Sequence, residues 1–366
     1  MVVGSFLFIV LLLELVIFRF VLIASDWPRL EYRDSMLKYR PDQIGIYRVR
    51  NEIKAQYRIN KSGWNSRHPR YDTAKPDNIF RIAIIGDSYV EAFQVDFDQS
   101  LAAVLEQKLA DKVPTQVFSF GLSGAPLSQY LHILREEVLR FAPDLVVVVL
   151  VHNDFDESYL PVAGVYTNSF MKIQLGSNGQ SQEIAPQAFE RKWYHYIRNS
   201  ATWRYLARRQ QVRFQALRAV FFKSDSGNPS APERPPEYQA NIDISALDVK
   251  MGDNTRVADY CFRQLKHACD DNNIRLLLVI DGDRNAIYTS VDNAASNDTK
   301  ALQINHMVHT VAGKYDIDIL DLHPIFAKDY KTNRRLFNFN SDGHWNHYGH
   351  QVAAGAIADI LNTSSP

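Results

Sequence analysis

The chain has 366 residues, 46% of them hydrophobic and 12% aromatic, which is enough apolar material for one full α/β core with added segments. Its 41 basic and 41 acidic residues cancel, so no overall field points to nucleic acid or to a polyanionic ligand. Cys261 and Cys269 fall in one helix-like stretch, about 12 Å apart along its axis, too far for a disulfide within an intact helix. They read as buried thiols and fix no compartment.

In chain order, Val2 to Ala24 is almost wholly apolar and long enough to cross a bilayer. Glu14 and Arg19 interrupt it, but its Val, Ile, Leu and Phe residues at about −0.3 to −0.6 kcal/mol each outweigh two charges at about +3 each. A cleaved signal peptide is the rival. Against it, no basic segment comes first, the apolar run is long, and Leu22-Ile23-Ala24 lacks the small residue expected two places before cleavage. A single span within residues 1–24 is therefore expected. Arg29, Arg33, Lys38 and Arg40 follow it and no Lys or Arg precedes it, which by charge alone puts the remainder in the cytoplasm, although long domains cross regardless. Residues 25–78 carry Trp27, Tyr32, Tyr39, Tyr47, Tyr57 and Trp64, too many aromatics for a solvated linker, and are expected to pack as a collar on the domain that begins near residue 79.

From Arg81 the pattern alternates. Strands are predicted at 81–86, 116–119 and 144–151, with helices near 98–111 and 126–141 between them. After an insertion the alternation resumes with a helix over 253–271, a strand at 274–280, a helix near 300–313, a strand at 317–321 and a last helix from His347 to Leu361. Such alternation predicts a parallel sheet with helices on both faces. Residues 155–250 break it. Their centre, Arg191 to Lys223, interleaves nine basic residues (Arg191, Lys192, Arg198, Arg204, Arg208, Arg209, Arg213, Arg218, Lys223) with aromatics from Trp193 to Phe222. Two readings stand: amphipathic helices packed as a cap with solvated arginines, or a basic-aromatic face lying on anionic headgroups. Ser224 to Glu237 reads as a flexible loop that ends the unit.

Three short islands carry chemistry. Gly86-Asp87-Ser88 follows the first strand, Asn153-Asp154 ends the third, and Asp342-Gly343-His344-Trp345 precedes the last helix. Each alone is also ordinary turn or capping chemistry. Together they supply a nucleophile, an amide donor, a carboxylate and an imidazole, in a constellation recognised by roles rather than by order. A metal site is the chemical rival, because Asp342, His344, His347 and His350 crowd together and His347 and His350 could share a helix face. Zinc sites usually draw a further ligand from elsewhere, and the serine reading also accounts for Ser88 and Asn153. His152 and His323 read as local hydrogen-bonding residues.

On these islands the chain resembles the SGNH (GDSL-type) hydrolase/acyltransferase superfamily, and in particular its membrane-anchored bacterial members. Gly86-Asp87-Ser88-Tyr89 matches the first block, with Tyr89 where the family name has Leu. Phe120-Gly121-Leu122-Ser123-Gly124 matches the second, with Ser119 where relatives often have Asn, and Val151-His152-Asn153-Asp154 matches the third, with Val151 for the usual Gly. The last block is Asp-x-His rather than Asp-x-x-His. A similar Asp-x-His-Trp occurs in the alginate-acetylation branch, which carries it before the nucleophile.

The resemblance implies a flavodoxin-like, doubly wound parallel sheet formed by residues 79–154 and 251–366, with 155–250 as a helical insertion. It implies Ser88, Asp342 and His344 as catalytic residues and the Ser88 N–H, Gly124 and Asn153 as oxyanion donors, with no cofactor and no metal. The implied activity is ester hydrolysis on an acylated carbohydrate or lipid. The alternative is O-acetyl transfer to an envelope or exopolysaccharide glycan, with a membrane acyl-donor protein as partner, and in another class an inactive glycan-binding scaffold. Anchored relatives place the catalytic domain outside the cytoplasmic membrane.

Overall fold

The computed structural model describes residues 2–160, 167–177, 179–189, 196–212, 238–289 and 299–363. Five apolar runs form one parallel sheet: β1 (Phe80–Gly86), β2 (Thr115–Gly121), β3 (Leu145–Leu150), β4 (Arg275–Ile280) and β5 (Asp318–Asp321). The order is β2–β1–β3–β4–β5, the flavodoxin-like arrangement, in which the order reverses between β1 and β3. Side chains alternate along each strand and both faces are covered, so the strands read as unbroken apolar runs rather than as alternating ones.

Ala83, Ile85, Val146, Val148 and Leu278 face a core shared with helices α2 (127–141), α3 (Leu247–Asp270) and α4 (Leu302–Gly313). Ile82, Ile84, Val147, Val149 and Leu277 face the other, built with α1 (Leu101–Leu109), α5 (Leu322–Asn333) and α6 (His347–Thr363). Helix α1 starts where the Ser100 hydroxyl accepts from the Ala103 N–H. Helix α2 stops at Ala142, whose φ of 45° ends the turn ahead of Pro143, a residue that cannot continue a helix.

Two helices differ from the sequence expectation. His323-Pro324 belongs to a helix that the alternation did not include, α5, where Asp321 caps the His323 N–H at 2.8 Å; a proline fits a first helical turn, where its missing N–H costs nothing. A short helix, Arg284–Thr289, follows β4 unannounced by the pattern.

Residues 30–59 make two antiparallel hairpins, Leu30–Arg33 with Met36–Tyr39 and Gln43–Val49 with Ile53–Ile59. Met36, Leu37, Tyr39, Tyr57, Trp64 and Tyr71 join the first core. The Lys38 ammonium lies 2.7 Å from the Glu137 carboxylate of α2, both side chains 1% exposed, and Arg140 and Trp64 also donate to Glu137. The aromatic segment thus packs on the sheet domain.

Within 155–250 the structure contains a hairpin, Lys172–Leu175 with Ser181–Ile184, as well as helix, and Tyr260 and Arg135 hold its Glu183 from α3 and α2. Arg191, Lys192, Trp193 and Tyr194 lie outside the described residues, as does everything from Arg213 to Glu237. The arginines that are described follow neither sequence reading fully. Arg204 donates to Ser25 and Asp26, Arg208 stacks on Trp27 at 4.0 Å, and Arg209 donates to the carbonyls of Leu22 and Ile23. They tie the segment to the end of the N-terminal helix. That helix, Val2–Val21, has a mean hydropathy of 2.4 and the length to cross a membrane, a property it shares with signal sequences.

Candidate active site

Ser88 stands just beyond β1, at the start of the one-turn helix Ser88–Glu91, at the switch point of the sheet. Asp87 caps that turn, accepting the Tyr89 N–H at 2.8 Å. The Ser88 hydroxyl lies 2.7 Å from His344 Nε2, and His344 Nδ1 bonds Asp342, whose Oδ1 also accepts the His344 N–H at 2.9 Å. Ser88 and the Asp342–His344 pair, more than 250 positions apart, are therefore joined in one relay. Burial favours the neutral acid at Asp342, but the bonds from His344 outweigh it and hold the carboxyl below its ordinary range.

The loop bearing Asp342 and His344 is pinned from several sides. Trp345 is fully buried and donates through Nε1 to Asp281 at 3.1 Å. Arg284 pairs with Asp281 at 3.2 Å and donates to the Gly343 carbonyl at 2.7 Å, where the Tyr89 hydroxyl also donates at 3.1 Å. Glu52, at the tip of a collar hairpin, accepts the Asn340 and Ser341 N–H groups at 2.8 and 2.7 Å. Gln211 donates to the Ser341 carbonyl at 3.2 Å. None of Arg284, Asp281, Glu52 or Gln211 is signalled by local spacing, because each acts from a distant part of the chain.

The loop after β2 carries Gly124 at φ +74°, a left-handed conformation that strains any other residue. Its neighbour Ser123 donates its N–H to Glu91 Oε2 at 2.6 Å, and the Tyr39 hydroxyl donates to the same oxygen at 2.6 Å. At Gly121 a Cβ would lie 2.0 Å from the Glu91 backbone nitrogen, so only glycine lets the strand pass the Ser88–Glu91 turn. Burial pushes the Glu91 carboxyl up to about 8.

After β3, Asn153 sits on a tight turn shaped by Asp154. The buried Asp154 carboxylate takes the Val151 N–H at 2.8 Å and the Tyr130 hydroxyl at 2.9 Å. Asn153 donates to Glu157, while its own Oδ1 is buried with no partner among the described residues. Phe170 is the nearest neighbour of a Cβ built at Gly124, at 4.0 Å. It borders a groove of about 720 Å³ lined also by Tyr159, Asn168, Lys172, Gln174 and Gln187.

The remaining histidines lie apart from this relay's bonds. His347 is exposed, and His350 is buried against the Trp345 ring at 5.6 Å, where burial drops it to about 3. His152 is buried and bonded to Asn305 at 2.9 Å. Among the described residues no three His, Cys, Asp or Glu side chains gather as a metal cluster would require.

A flavodoxin-like parallel sheet thus carries serine, imidazole and carboxyl bonded in series at its carboxyl edge, an arrangement suited to acyl transfer. The chain belongs to the GDSL-like lipase/acylhydrolase family, whose model matches residues 84–352. Its fold is similar to the acetyl xylan esterase AlAXEase, at 12% identity and TM-score 0.39 over 77% of this chain and 99% of that one. It is also similar to LAE5, an α/β hydrolase from the metagenome of Lake Arreo, Spain, at 11% identity and TM-score 0.42 over 80% and 99%. A third is a two-domain esterase active on acetylated mannans, at 12% identity and TM-score 0.41 over 78% of this chain and 49% of that one. No curated protein sequence matches this chain.

Proposed function

We propose that this family member is a serine-dependent carbohydrate esterase working through an acyl-Ser88 intermediate. Ser88 Oγ attacks the ester carbonyl while His344 Nε2 takes its proton, and Asp342 holds the ring in the tautomer that leaves Nε2 free to accept. The alkoxide of the sugar leaves with that proton, and water then repeats the sequence on the acyl enzyme. The 2.7 Å contact between Ser88 Oγ and His344 Nε2, with Asp342 bonded behind it, is the observation that carries the reading. The developing oxyanion would meet the Ser88 and Gly124 N–H groups and the Asn153 amide, donors worth about 3 kcal/mol each in such sites. An amide has two N–H groups, so Asn153 can serve Glu157 with one and the oxyanion with the other.

A candidate surface for the alcohol part of the ester is the groove bordered by Phe170, where Tyr159, Asn168, Gln174 and Gln187 stand among the aliphatic Leu160, Ile173, Leu175 and Ile184. Residues 79–154 and 251–366 would carry catalysis, with the chain held by residues 2–24 on the outer face of the cytoplasmic membrane. Transfer of the acetyl group to a sugar hydroxyl uses the same acyl-Ser88 and differs only in the acceptor. The test is a fluorophosphonate probe followed by peptide mass spectrometry, alongside acetate release from acetylated oligosaccharide with and without free oligosaccharide acceptor. An adduct on Ser88 that Ser88→Ala abolishes, with acetate in solution, is expected. Labelling at another residue, or none on active protein, overturns the assignment, and acetylated acceptor in place of acetate makes the chain a transferase.

A further inference from the structure

We propose that residues 196–209 form a second membrane-contacting element, seated in the lipid leaflet from which the catalytic domain emerges. The proposal rests on reading Val2–Val21 as a retained span. Three contacts align the two segments. Glu14 accepts from the Ala201 N–H at 2.8 Å and from the Thr202 N–H and hydroxyl at 2.9 Å each. Phe18 stacks on Tyr205 at 4.6 Å. Arg209 donates to the Leu22 and Ile23 carbonyls. Each contact advances four residues on both partners, so the helix from Ala201 to Arg209 runs parallel to the last third of the apolar one.

The depth follows from the register. Glu14 lies seven residues before Val21, about 10 Å along a helix axis, so Ala201 begins that far from the end of the span. This is the depth at which interfacial helices bury their apolar sides, about 5–10 Å into the headgroup and acyl boundary. Beyond Ala201 the chain turns at Tyr196 and Ile197, which are 64% and 48% exposed. On the span, Leu15, Val16 and Phe20 are likewise bare. Apolar side chains are therefore left bare on both the span and the tip, and acyl chains are the occupant that covers the two together. Arg198, exposed at the same tip, has a stem long enough to carry its guanidinium back to headgroup phosphate.

Glu14 belongs to the same device. A carboxylate inside an apolar helix is costly unless paired, and here it binds the free N–H groups at the start of the neighbouring helix, where the helix dipole also favours negative charge. Removing residues 1–24 would strip that acceptor from Ala201 and Thr202, and Phe18 from Tyr205.

The test uses the full chain in phosphatidylcholine–phosphatidylglycerol vesicles, with an environment-sensitive NBD fluorophore on Ile197→Cys. Val249→Cys, at a residue 87% exposed on the sheet domain, is the aqueous control. The parent chain is the blank, since Cys261 and Cys269 are buried. Blue-shifted emission at 197, quenched by nitroxide-labelled acyl chains and shielded from aqueous iodide, is expected, with none of these at 249. If the chain resists alkaline carbonate extraction yet 197 behaves like 249, the lipid-seated element is wrong while the anchor stands. Shielding from iodide without nitroxide quenching means that protein covers the tip, which also overturns the proposal. Release by carbonate, or an intact mass lacking residues 1–24, overturns the anchor and this proposal together.

Discussion

Asp342 illustrates how the site is set residue by residue. Burial favours its neutral form, and the bonds from the His344 ring and N–H, with a further one from Gln94, reverse that preference. An amide at this position keeps the shape but can offer its NH₂ to the ring and invert the tautomer. Asp342→Asn is therefore expected to lower kcat on p-nitrophenyl acetate by about 10⁴-fold, as such losses do elsewhere, while His347→Ala should leave it within a small factor. Comparable turnover in the two variants would sink the proposed relay. The sequence could single out Ser88 and Asn153 because they lie in short motifs at strand ends, and Asp342 and His344 because they share a short motif ahead of the last helix. Arg284 and Glu91 were not, because an arginine on the Gly343 carbonyl and a carboxyl under the Ser123 N–H are contacts between distant segments with no local period.

Among the elements, the Ser88–Glu91 turn links the proposed nucleophile to the collar, since Glu91 takes bonds from both Tyr39 and Ser123. Its carboxyl is raised by burial from the ordinary range to about 8. Between those values the folded chain holds a proton that the unfolded chain has released, so stability falls as pH rises through that window. Melting curves in detergent at about pH 6 and about pH 9 should show a steeper loss in the parent than in Glu91→Gln, which carries no titrating proton there. Equal slopes would show that Glu91 is ionised in the fold. The five central strands were readable as apolar runs with β-branched residues. The hairpin ending in Ser181-Gln182-Glu183-Ile184 was not, because its side chains are mostly polar and partly exposed, and its strand character comes from packing on α3. Helix α5 was hidden because Pro324 resembles a terminator until Asp321 is seen to cap the turn before it.

Over the whole molecule, the N-terminal helix, the collar and the segment around Ala201 meet on one side of the sheet domain. Glu14 acts there as a cap supplied from another segment, and losing a cap typically costs about 0.5–2 kcal/mol. Glu14→Ala in the full chain should lower the melting temperature in detergent micelles, with Glu14→Gln closer to the parent because it retains an acceptor. No change in either variant would mean that the contact is not used in the folded chain. The sequence presented Glu14 and Arg19 only as interruptions of an apolar run, since the partners of Glu14 lie some 190 positions away.

Gln211, two residues beyond the Arg209 that grips the end of the apolar helix, holds the Ser341 carbonyl, and Glu52 holds the N–H of the same residue. The loop bearing Asp342 and His344 and the end of the apolar helix are thereby tied through one segment. For a chain held at a bilayer in this way, the relevant substrate concentration is molecules per unit area within reach of a fixed site, not molecules per unit volume. Esters attached to the same surface are enriched for it by tethering alone. A freely diffusing ester of identical chemistry gains nothing from that arrangement, so selectivity between surface-bound and soluble substrates can arise without a single contact that tells them apart.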